Sequence, residues 1–423
     1  MTLYLARYLL PVGAPPIKDG ALLVRNRRIA AIGCRRELLS GFRGRLVDFG
    51  AAVLLPPLVN AHTHLELTHF PLWAEQGGDQ QPAADFVDWL LYVIRIKRQM
   101  NPAALSASLE EGLRRSLRFG TGAVGDILSC APIRRAYAAS PLYGRFFFEV
   151  LGRRESAWRP ALKEAQRLFQ EGAIARLQPG CAPHASYSLA ARGLREIFAL
   201  GRCRRWPLTT HFAESPAESH WLLHGGGGLA ARLDPAAGWR ACLPPPPGRN
   251  PTAYLEGLGG LYPGNLLVHG VQVNARDVQL LARRRVTLVL CPRSNERLGV
   301  GQAPVARYRA AGVKLALGTD SLASNDSLSM WDELAAARRC YGPKLSSAEL
   351  LAMATRNGAD ALGLKGEMGT LRAGFGAHFQ VLPLRDPPPL RELEEFLCSH
   401  GCDSLPSALY LAGEERLTSG GKS

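Results

Sequence analysis

Short apolar runs alternate with amphipathic stretches along most of this chain. Eight such runs follow residue 54, and each has the length of a single strand. They read LLPPLVNAHTH (54–64), GTGAVGDI (120–127), YGRFFFEV (143–150), ARLQPGCAPHAS (175–186), PLTTHFAE (207–214), NLLVHG (265–270), VTLVLCPRSN (286–295) and VKLALGTDS (313–321). The stretches between them predict helices over 103–119, 159–171, 190–200, 274–284, 302–311 and 329–339. This alternation predicts an α/β fold, a (β/α)8 TIM barrel.

The two ends of the chain have a different texture. Near the start, GALLVRNRRIAAIG and GRLVDFGAAVLL alternate with period two and are broken by Gly and Asn, which is typical of short strands and turns. The same texture returns after residue 370. We therefore predict one composite β-sandwich domain from residues 1–54 and 370–415, a barrel over 55–369, and a disordered tail at 416–423.

One interval within the predicted barrel is irregular. Residues 225–251 are rich in Gly and Pro and follow the fifth strand. A long excursion at this position predicts either a lid over the site or a surface loop without a role. The sequence leaves both open.

Charge and cysteine content narrow the class of protein. The formal charge is +15, which raises the alternative of a nucleic-acid-binding protein, but the basic residues are scattered and do not form an aromatic and basic platform. No window is apolar enough for a membrane span, and the start of the chain lacks the features of a signal peptide. Nine cysteines without a CxxC pair favour reduced thiols and a cytoplasmic protein.

Histidines and one aspartate fall at the ends of the predicted strands, where a barrel of this type carries its active site. They are His62 and His64 (strand one), His184 (strand four), His211 (strand five), His269 (strand six) and Asp320 (strand eight). Residues i and i+2 of a strand point the same way, so His62 and His64 can bind one metal ion. With His211 and Asp320 they make three nitrogens and one carboxylate, a set that suits Zn²⁺ and also Fe²⁺.

Two further residues have the chemistry that such a metal centre needs. Glu214 lies three residues after His211 and could carry protons from a metal-bound water to a leaving group. Its alternative role is a first-turn helix residue favoured by the helix dipole. His269 could hold the attacking water or polarise the leaving group, and its alternative role is a buried structural histidine.

These motifs, in this order, resemble the amidohydrolase superfamily, in its cytosine-deaminase-like and triazine-hydrolase-like branch. The motifs are PPLVNAHTHLEL, HFAES, LLVHG, CPRSN and LGTDSLASNDSLSMWDEL. The resemblance implies one metal ion held by His62, His64, His211 and Asp320, with Glu214 as proton shuttle and His269 near the water or intermediate. Strand four ends CAPHAS without a lysine, which argues against the binuclear members.

Within this branch the motifs are most similar to aminofutalosine deaminases, which act on 6-amino-6-deoxyfutalosine, an adenine nucleoside carrying a benzoate, in menaquinone biosynthesis. The resemblance implies that Glu66 and His184 belong to the substrate pocket, and Ser324 is placed there too. The benzoate carboxylate requires a cation or donors, and arginine suits it. The candidates that follow strands three and seven are Arg153, Arg154 and Arg293.

The expected activity is hydrolytic deamination of a small amino-heterocycle. A metal-bound hydroxide attacks C6 of an aminopurine, Glu214 moves the proton to the ring nitrogen, and ammonia leaves, with His269 and Asp320 supporting the nucleophile. Adenosine, S-adenosylhomocysteine, guanine or cytosine as substrate, or a triazine hydrolysed at chlorine, are the alternatives. A non-catalytic metal-binding or nucleic-acid-binding protein is the alternative of a different class. A homodimer is left open.

Overall fold

A computed structural model of the chain describes residues 1–77, 84–242 and 248–418. A first group of strands precedes the barrel: β1 Thr2–Leu9, β2 Ile17–Arg25, β3 Arg28–Cys34, β4 Arg45–Asp48 and β5 Ala52–Leu55. The barrel strands are β6 Leu58–Thr63, β7 Thr121–Leu128, β8 Tyr143–Val150, β9 Leu177–Pro183, β10 Leu208–Phe212, β11 Asn265–His269, β12 Thr287–Leu290 and β13 Lys314–Leu317. The last strands are β14 Phe379–Pro383, β15 Ala408–Leu411 and β16 Glu414–Thr418.

Helices follow most of the barrel strands. In chain order they are α1 Arg35–Leu39, α2 Phe70–Gln76, α3 Phe86–Lys97, α4 Pro102–Arg118, α5 Glu155–Glu171, α6 Ala191–Arg204, α7 Pro216–His224, α8 Asp234–Ala236, α9 Pro251–Gly257, α10 Ala275–Arg283, α11 Pro292–Arg297, α12 Val305–Ala310, α13 Met330–Tyr341, α14 Ser347–Met353, α15 Arg356–Ala361 and α16 Leu393–His400. Within the described residues, none of these helices has the length and apolar character that crossing a membrane requires.

The predicted (β/α)8 barrel is confirmed. Strands β6 to β13 form one parallel sheet in chain order, and each coincides with one of the eight apolar runs, although β7 extends one residue beyond its run. Every residue of β7 and of β10 is buried, because a parallel sheet covered by helices is dry on both faces. The barrel interior is filled by apolar side chains that include Val59, Phe147 and Val289. The core therefore holds the carboxyl ends of the strands in fixed positions.

The first and last barrel strands meet in a seam that closes the barrel. A parallel bridge joins Thr63 and Asp320, and the Asp320 amide donates to the His62 carbonyl at 3.1 Å. Gly318 lies against this carbonyl, and a Cβ there would come within 2.6 Å of the oxygen. The seam therefore brings Asp320 beside His62 and His64, although about 260 residues separate them along the chain.

The composite β unit is also confirmed, because both ends of the chain contribute to one sheet. Its strand order is β16-β15-β14-β5-β1-β2-β3, and β4 pairs with β1. The rings of Tyr4, Phe379 and Tyr410 pack together on one face, with Phe379 and Tyr410 stacked at 4.4 Å. The predicted tail at 416–423 starts too early, because residues up to 418 belong to β16 and pair with β15. Residues 419–423 lie outside the described residues.

The excursion at 225–251 is largely ordered into short helical turns. After α7 it forms a π-helical turn at Leu229–Leu233, helix α8 and a turn at Arg240–Cys242; residues 243–247 lie outside the described part. Arg153 holds this segment, because its Nη1 lies 2.9 Å from an oxygen of the buried Asp234. The same guanidinium stacks over Trp221 and Trp239, at 4.5 and 5.1 Å from their rings. The excursion is thus fastened to the third barrel strand.

We expect Gly318→Ala to destabilise the barrel at its seam. The added Cβ must displace β13 from β6, and such overpacking costs about 1–3 kcal/mol. Scanning calorimetry should show the midpoint of thermal unfolding fall by roughly 2–10 °C. The control is Gly226→Ala, where a Cβ would have its nearest neighbour at 3.8 Å, and which should unfold like the wild type. An unchanged midpoint for Gly318→Ala would contradict the described seam.

Candidate metal centre and active site

Four buried side chains converge at the carboxyl ends of the barrel strands. His62, His64, His211 and Asp320 each place a ligand atom within 4.8 Å of the others. One oxygen of Asp320 lies 3.6 Å from Nε2 of His62 and 3.5 Å from Nε2 of His64. The structure thus brings together the four predicted ligands, from strands one, five and eight.

The protonation of this cluster suits a cation rather than a set of hydrogen bonds. Burial and the neighbouring imidazoles hold the pKa of His64 and His211 well below the usual value, so both rings are neutral and can offer a lone pair. Burial alone would raise the pKa of Asp320, but His62 and His64 hold it well below the usual range. Both ring nitrogens of His62 lack a hydrogen-bond partner among the described residues. Three imidazoles and one carboxylate fit a divalent metal ion.

Neighbouring groups fix the orientation of the ligands. The Nδ1 of His211 lies 3.1 Å from the His184 carbonyl oxygen, which leaves its Nε2 for the centre of the cluster. Ser294 and Ser324 donate to the second oxygen of Asp320 at 2.7 and 2.8 Å, so its first oxygen faces the histidines. Such outer partners set the direction of a metal ligand. Ser324 is therefore placed as a support of Asp320, and it does not line the cavity.

The backbone is strained at three positions of the site. Ala213, His269 and Asp320 have φ values of 49°, 76° and 59°, in the left-handed region that non-glycine residues rarely adopt. Each lies where a barrel strand ends and the chain turns to the next helix. Strain of this kind persists where the surrounding structure overdetermines the conformation, commonly at functional sites.

Glu214 and His269 form a second buried pair beside the metal ligands. An oxygen of Glu214 lies 3.5 Å from Nε2 of His269. Burial, Asp320 and Glu218 raise the pKa of Glu214 well above its usual value, so its carboxyl group can hold a proton. Burial lowers the pKa of His269 to about 4, and the oxygen of Asn295 lies 3.0 Å from its Nδ1. Glu218 fixes the Glu214 backbone by accepting from its amide at 2.9 Å.

A cavity of about 400 Å³ opens from this centre. His64, His184, His211, Glu214 and Asp320 lie on its wall. Apolar side chains cover most of the remaining wall: Leu67, Trp89, Leu90, Val93, Ile94, Leu105, Leu151, Leu233, Ala237 and Trp239. Leu233, Ala237 and Trp239 come from the excursion, so this segment covers part of the cavity as the lid alternative requires. A concave apolar site with a few convergent polar groups is typical of a small-molecule pocket.

Of the other residues predicted to contact the substrate, only His184 lines the cavity. Glu66 lies behind the wall, 2.7 Å from Nζ of Lys97. The expectation that an arginine of this group faces the substrate is not met. Arg153 is paired with Asp234, Arg154 is exposed and donates to Gly238, and Arg293 pairs with Asp326.

Several cavity residues were not identified from the sequence. They are Lys97 and Arg98 at the end of α3, Ser129, Glu149, Tyr187 and Ser321. Glu149 carried a signal, because a lone carboxylate ends the apolar run FFFEV at a predicted active-site strand end. Lys97 and Arg98 carried none, because basic residues at the end of a helix are commonplace.

Comparison with known proteins supports the same picture. The model of the amidohydrolase family matches residues 53–404. The aminodeoxyfutalosine deaminase of Deinococcus radiodurans is 31% identical over 368 residues, which cover 84% of this chain and 84% of the relative. The 5-methylthioadenosine/S-adenosylhomocysteine deaminase of Nitratidesulfovibrio vulgaris strain DP4 is 29% identical over 397 residues, covering 88% of this chain and 80% of the relative.

Solved structures share the fold across the whole chain. The Helicobacter pylori aminofutalosine deaminase in complex with methylthio-coformycin superposes with a TM-score of 0.82 at 22% identity, covering 99% of this chain and 100% of the other. An adenosine deaminase from Xanthomonas campestris with bound zinc superposes with a TM-score of 0.79 at 24% identity, covering 99% and 93%. From the family match and the curated relatives we conclude that this chain belongs to the amidohydrolase family and is a hydrolase that acts on C–N bonds.

Proposed function

We propose that the protein is a metal-dependent hydrolytic deaminase of an aminopurine nucleoside, with 6-amino-6-deoxyfutalosine as its substrate in menaquinone biosynthesis. The observation that carries the proposal is the juxtaposition of a four-ligand cluster with the Glu214–His269 pair at one end of a nucleoside-sized apolar cavity. Relatives named as deaminases of aminodeoxyfutalosine and of 5-methylthioadenosine support the same reaction.

The four ligands suit one divalent ion, with zinc first and iron(II) as the alternative. His62, His64, His211 and Asp320 would hold it, because their ligand atoms lie within 4.8 Å of one another and, among the described residues, neither ring nitrogen of His62 has a hydrogen-bond partner. When bound, such an ion supplies the Lewis acidity that makes water a nucleophile near neutral pH.

The chain's own residues would then manage the protons. Glu214 accepts a proton as water adds to the carbon that bears the amino group, and delivers it to the adjacent ring nitrogen. His269 is neutral at physiological pH, because burial lowers its pKa to about 4. Its Nε2 lies 3.5 Å from an oxygen of Glu214, and it would orient the groups that react at the amino-bearing carbon. When the C–N bond breaks, the amino group takes up the proton of the added hydroxyl and leaves as ammonia, and the ring keeps the oxygen as a carbonyl. Water and the amine are consumed, and a hypoxanthine-type product and ammonia are formed.

The cavity beyond the polar end suits a nucleoside with an apolar arm. Trp89, Val93 and Ile94 of α3 face Trp239 of the excursion across it. At the mouth, Arg98 supplies the one guanidinium among the described residues that line the cavity. Within the part of the chain that the structure describes, the one hydrogen bond of this guanidinium is a long contact of 3.4 Å from Nη1 to the Ala236 carbonyl. A guanidinium so placed is free to pair with a substrate carboxylate, such as that of a benzoate.

Deamination of 5-methylthioadenosine or S-adenosylhomocysteine is the second candidate. The relatives of that name cover this chain to a similar extent, and the apolar wall along α3 would also accommodate a thioether. The two candidates differ in the aromatic acid, and Arg98 is the residue that should separate substrates with a carboxylate from 5-methylthioadenosine and adenosine, which lack one.

The cellular setting follows from the thiols. All nine cysteines carry free thiols. Free thiols in this number are typical of a reducing compartment, so we assign the protein to the cytoplasm. We assign it a small-molecule substrate and no nucleic-acid partner.

We expect His211→Ala and Glu214→Gln to separate metal binding from proton transfer. His211→Ala removes one of four ligands and should lower the metal content measured by inductively coupled plasma mass spectrometry. Glu214→Gln keeps the ligands and should retain about one metal per chain, while ammonia release falls by about 100-fold or more.

The control for both variants is Glu110→Gln, at an exposed position on α4. It should retain metal and activity. Full turnover by Glu214→Gln would rule out its assignment as proton carrier.

We expect Arg98→Met to affect only substrates that carry a carboxylate. Loss of a charge-assisted contact should lower kcat/KM for 6-amino-6-deoxyfutalosine by about 10-fold or more, and leave adenosine unchanged. Steady-state ammonia release on metal-loaded protein measures both.

The matched control is Arg95→Met on the same helix, because Arg95 does not line the cavity. An equal loss on both substrates, or none on either, would remove Arg98 from the substrate site.

A further inference from the structure

One carboxylate on the cavity wall has no role in the chemistry described so far. Glu149 lies near the end of β8, and its side chain is only 6% exposed. Among the described residues no group donates a hydrogen bond to it, and Nε2 of the His184 ring lies 3.8 Å from one of its oxygens. Its exposed surface faces the cavity, where it lies beside His184 and Ser129.

The neighbouring cation does not neutralise this carboxylate by direct contact. The ammonium group of Lys97 donates a hydrogen bond to one oxygen of Glu66 at 2.7 Å, and the other oxygen of Glu66 accepts from the Ser129 amide at 3.0 Å. The charge of Lys97, which lines the cavity, is therefore balanced by Glu66 behind the wall. Glu149 is left as the acceptor that faces the cavity, and a buried acceptor without a donor is costly unless a ligand supplies one.

The position of Glu149 indicates which part of a ligand supplies the donor. His184 stands between Glu149 and the metal ligand His211, and the rings of the two histidines are 4.7 Å apart. Only the side chain of His184 thus lies between Glu149 and the metal ligand His211, beside which the base would react. In a purine nucleoside the base separates the amino carbon from the sugar, so a wall group at this distance from the centre is a candidate contact for the sugar.

The charge of Glu149 selects among groups that could lie there. A vicinal pair of hydroxyls offers two donors, and a carboxylate can accept both. A phosphate would be repelled, because it is an anion without donors at neutral pH. A free base would leave the carboxylate unpaired.

We propose that Glu149 accepts hydrogen bonds from the ribose hydroxyls of the substrate, and so makes this enzyme selective for ribonucleosides over deoxynucleosides. The inference rests on the proposed deamination of a nucleoside. It assigns to Glu149 substrate discrimination and not proton transfer, which belongs to Glu214.

The test is Glu149→Gln in the full chain loaded with metal. Ammonia release is measured from adenosine and 2′-deoxyadenosine. The wild type should prefer adenosine by roughly 10- to 100-fold in kcat/KM, the usual effect of a hydrogen bond to a charged group. In Glu149→Gln this preference should fall to a few-fold, because adenosine loses rate while deoxyadenosine does not. An unchanged preference would overturn the proposal.

A binding measurement keeps the test independent of turnover. Calorimetric titration with coformycin and 2′-deoxycoformycin should show the same loss of discrimination in Glu149→Gln. If the wild type binds both but releases no ammonia from any aminopurine nucleoside, the proposed deamination fails while the role of Glu149 is still decided. If the wild type binds neither analogue, the sugar site is overturned as well.

A structural role for Glu149 gives a different result. If Glu149 only stabilises the fold, Glu149→Gln should lower the midpoint of thermal unfolding and reduce kcat/KM for both substrates equally. That outcome would also overturn the proposal. Glu110→Gln serves again as the control and should keep the wild-type preference.

Discussion

The closure of the barrel between β6 and β13 is the constraint on which the active site depends. The two strands pair at Thr63 and Asp320, and the pairing holds one carboxylate against two imidazoles that lie near the other end of the chain. The absence of a side chain at Gly318 permits the approach. The strained backbone at Asp320 then turns its carboxylate inward. The hydrophobic core of the barrel supplies the free energy that holds this arrangement.

The charges of the site are arranged in two layers. The inner layer contains the neutral imidazoles of His64 and His211 with the ionised Asp320, and it suits a cation. The outer layer contains Glu149 and Lys97, whose ammonium is paired with the buried Glu66, and Glu149 suits hydroxyl donors. Apolar side chains of α3 and of the excursion complete the cavity. A nucleoside has the corresponding order of groups, from base to sugar to the substituent beyond it.

The excursion after the fifth strand is positioned by one buried ion pair. Arg153 links Asp234 to the third strand and stacks between two tryptophans, one of which lines the cavity. A buried pair is costly to break, because removal of one partner leaves the other charge without compensation. The sequence suggested Arg153 as a substrate contact, and in the structure it supports the wall that the substrate would touch.

Local sequence patterns were sufficient to predict the metal ligands, but not the residues that line the rest of the cavity. The metal ligands could be predicted, because strand periodicity and the known face of a barrel fix where the residues at strand ends point. The arginines could not, because the partner of Arg153 lies 81 residues away and only the folded excursion brings it near. Lys97 and Arg98 reach the cavity from the end of a helix, and helix amphipathicity does not show which end lies over a site. Glu149 was visible as a carboxylate closing an apolar strand, but its lack of donors is a property of the packed structure.

Anomalous diffraction from crystals of the metal-loaded protein would locate the metal ion directly. We expect one peak, bonded to nitrogens of His62, His64 and His211 and to an oxygen of Asp320 at about 2.0–2.2 Å. A peak elsewhere, or no peak at these four residues when the protein contains one metal per chain, would show that the four residues are not the metal site.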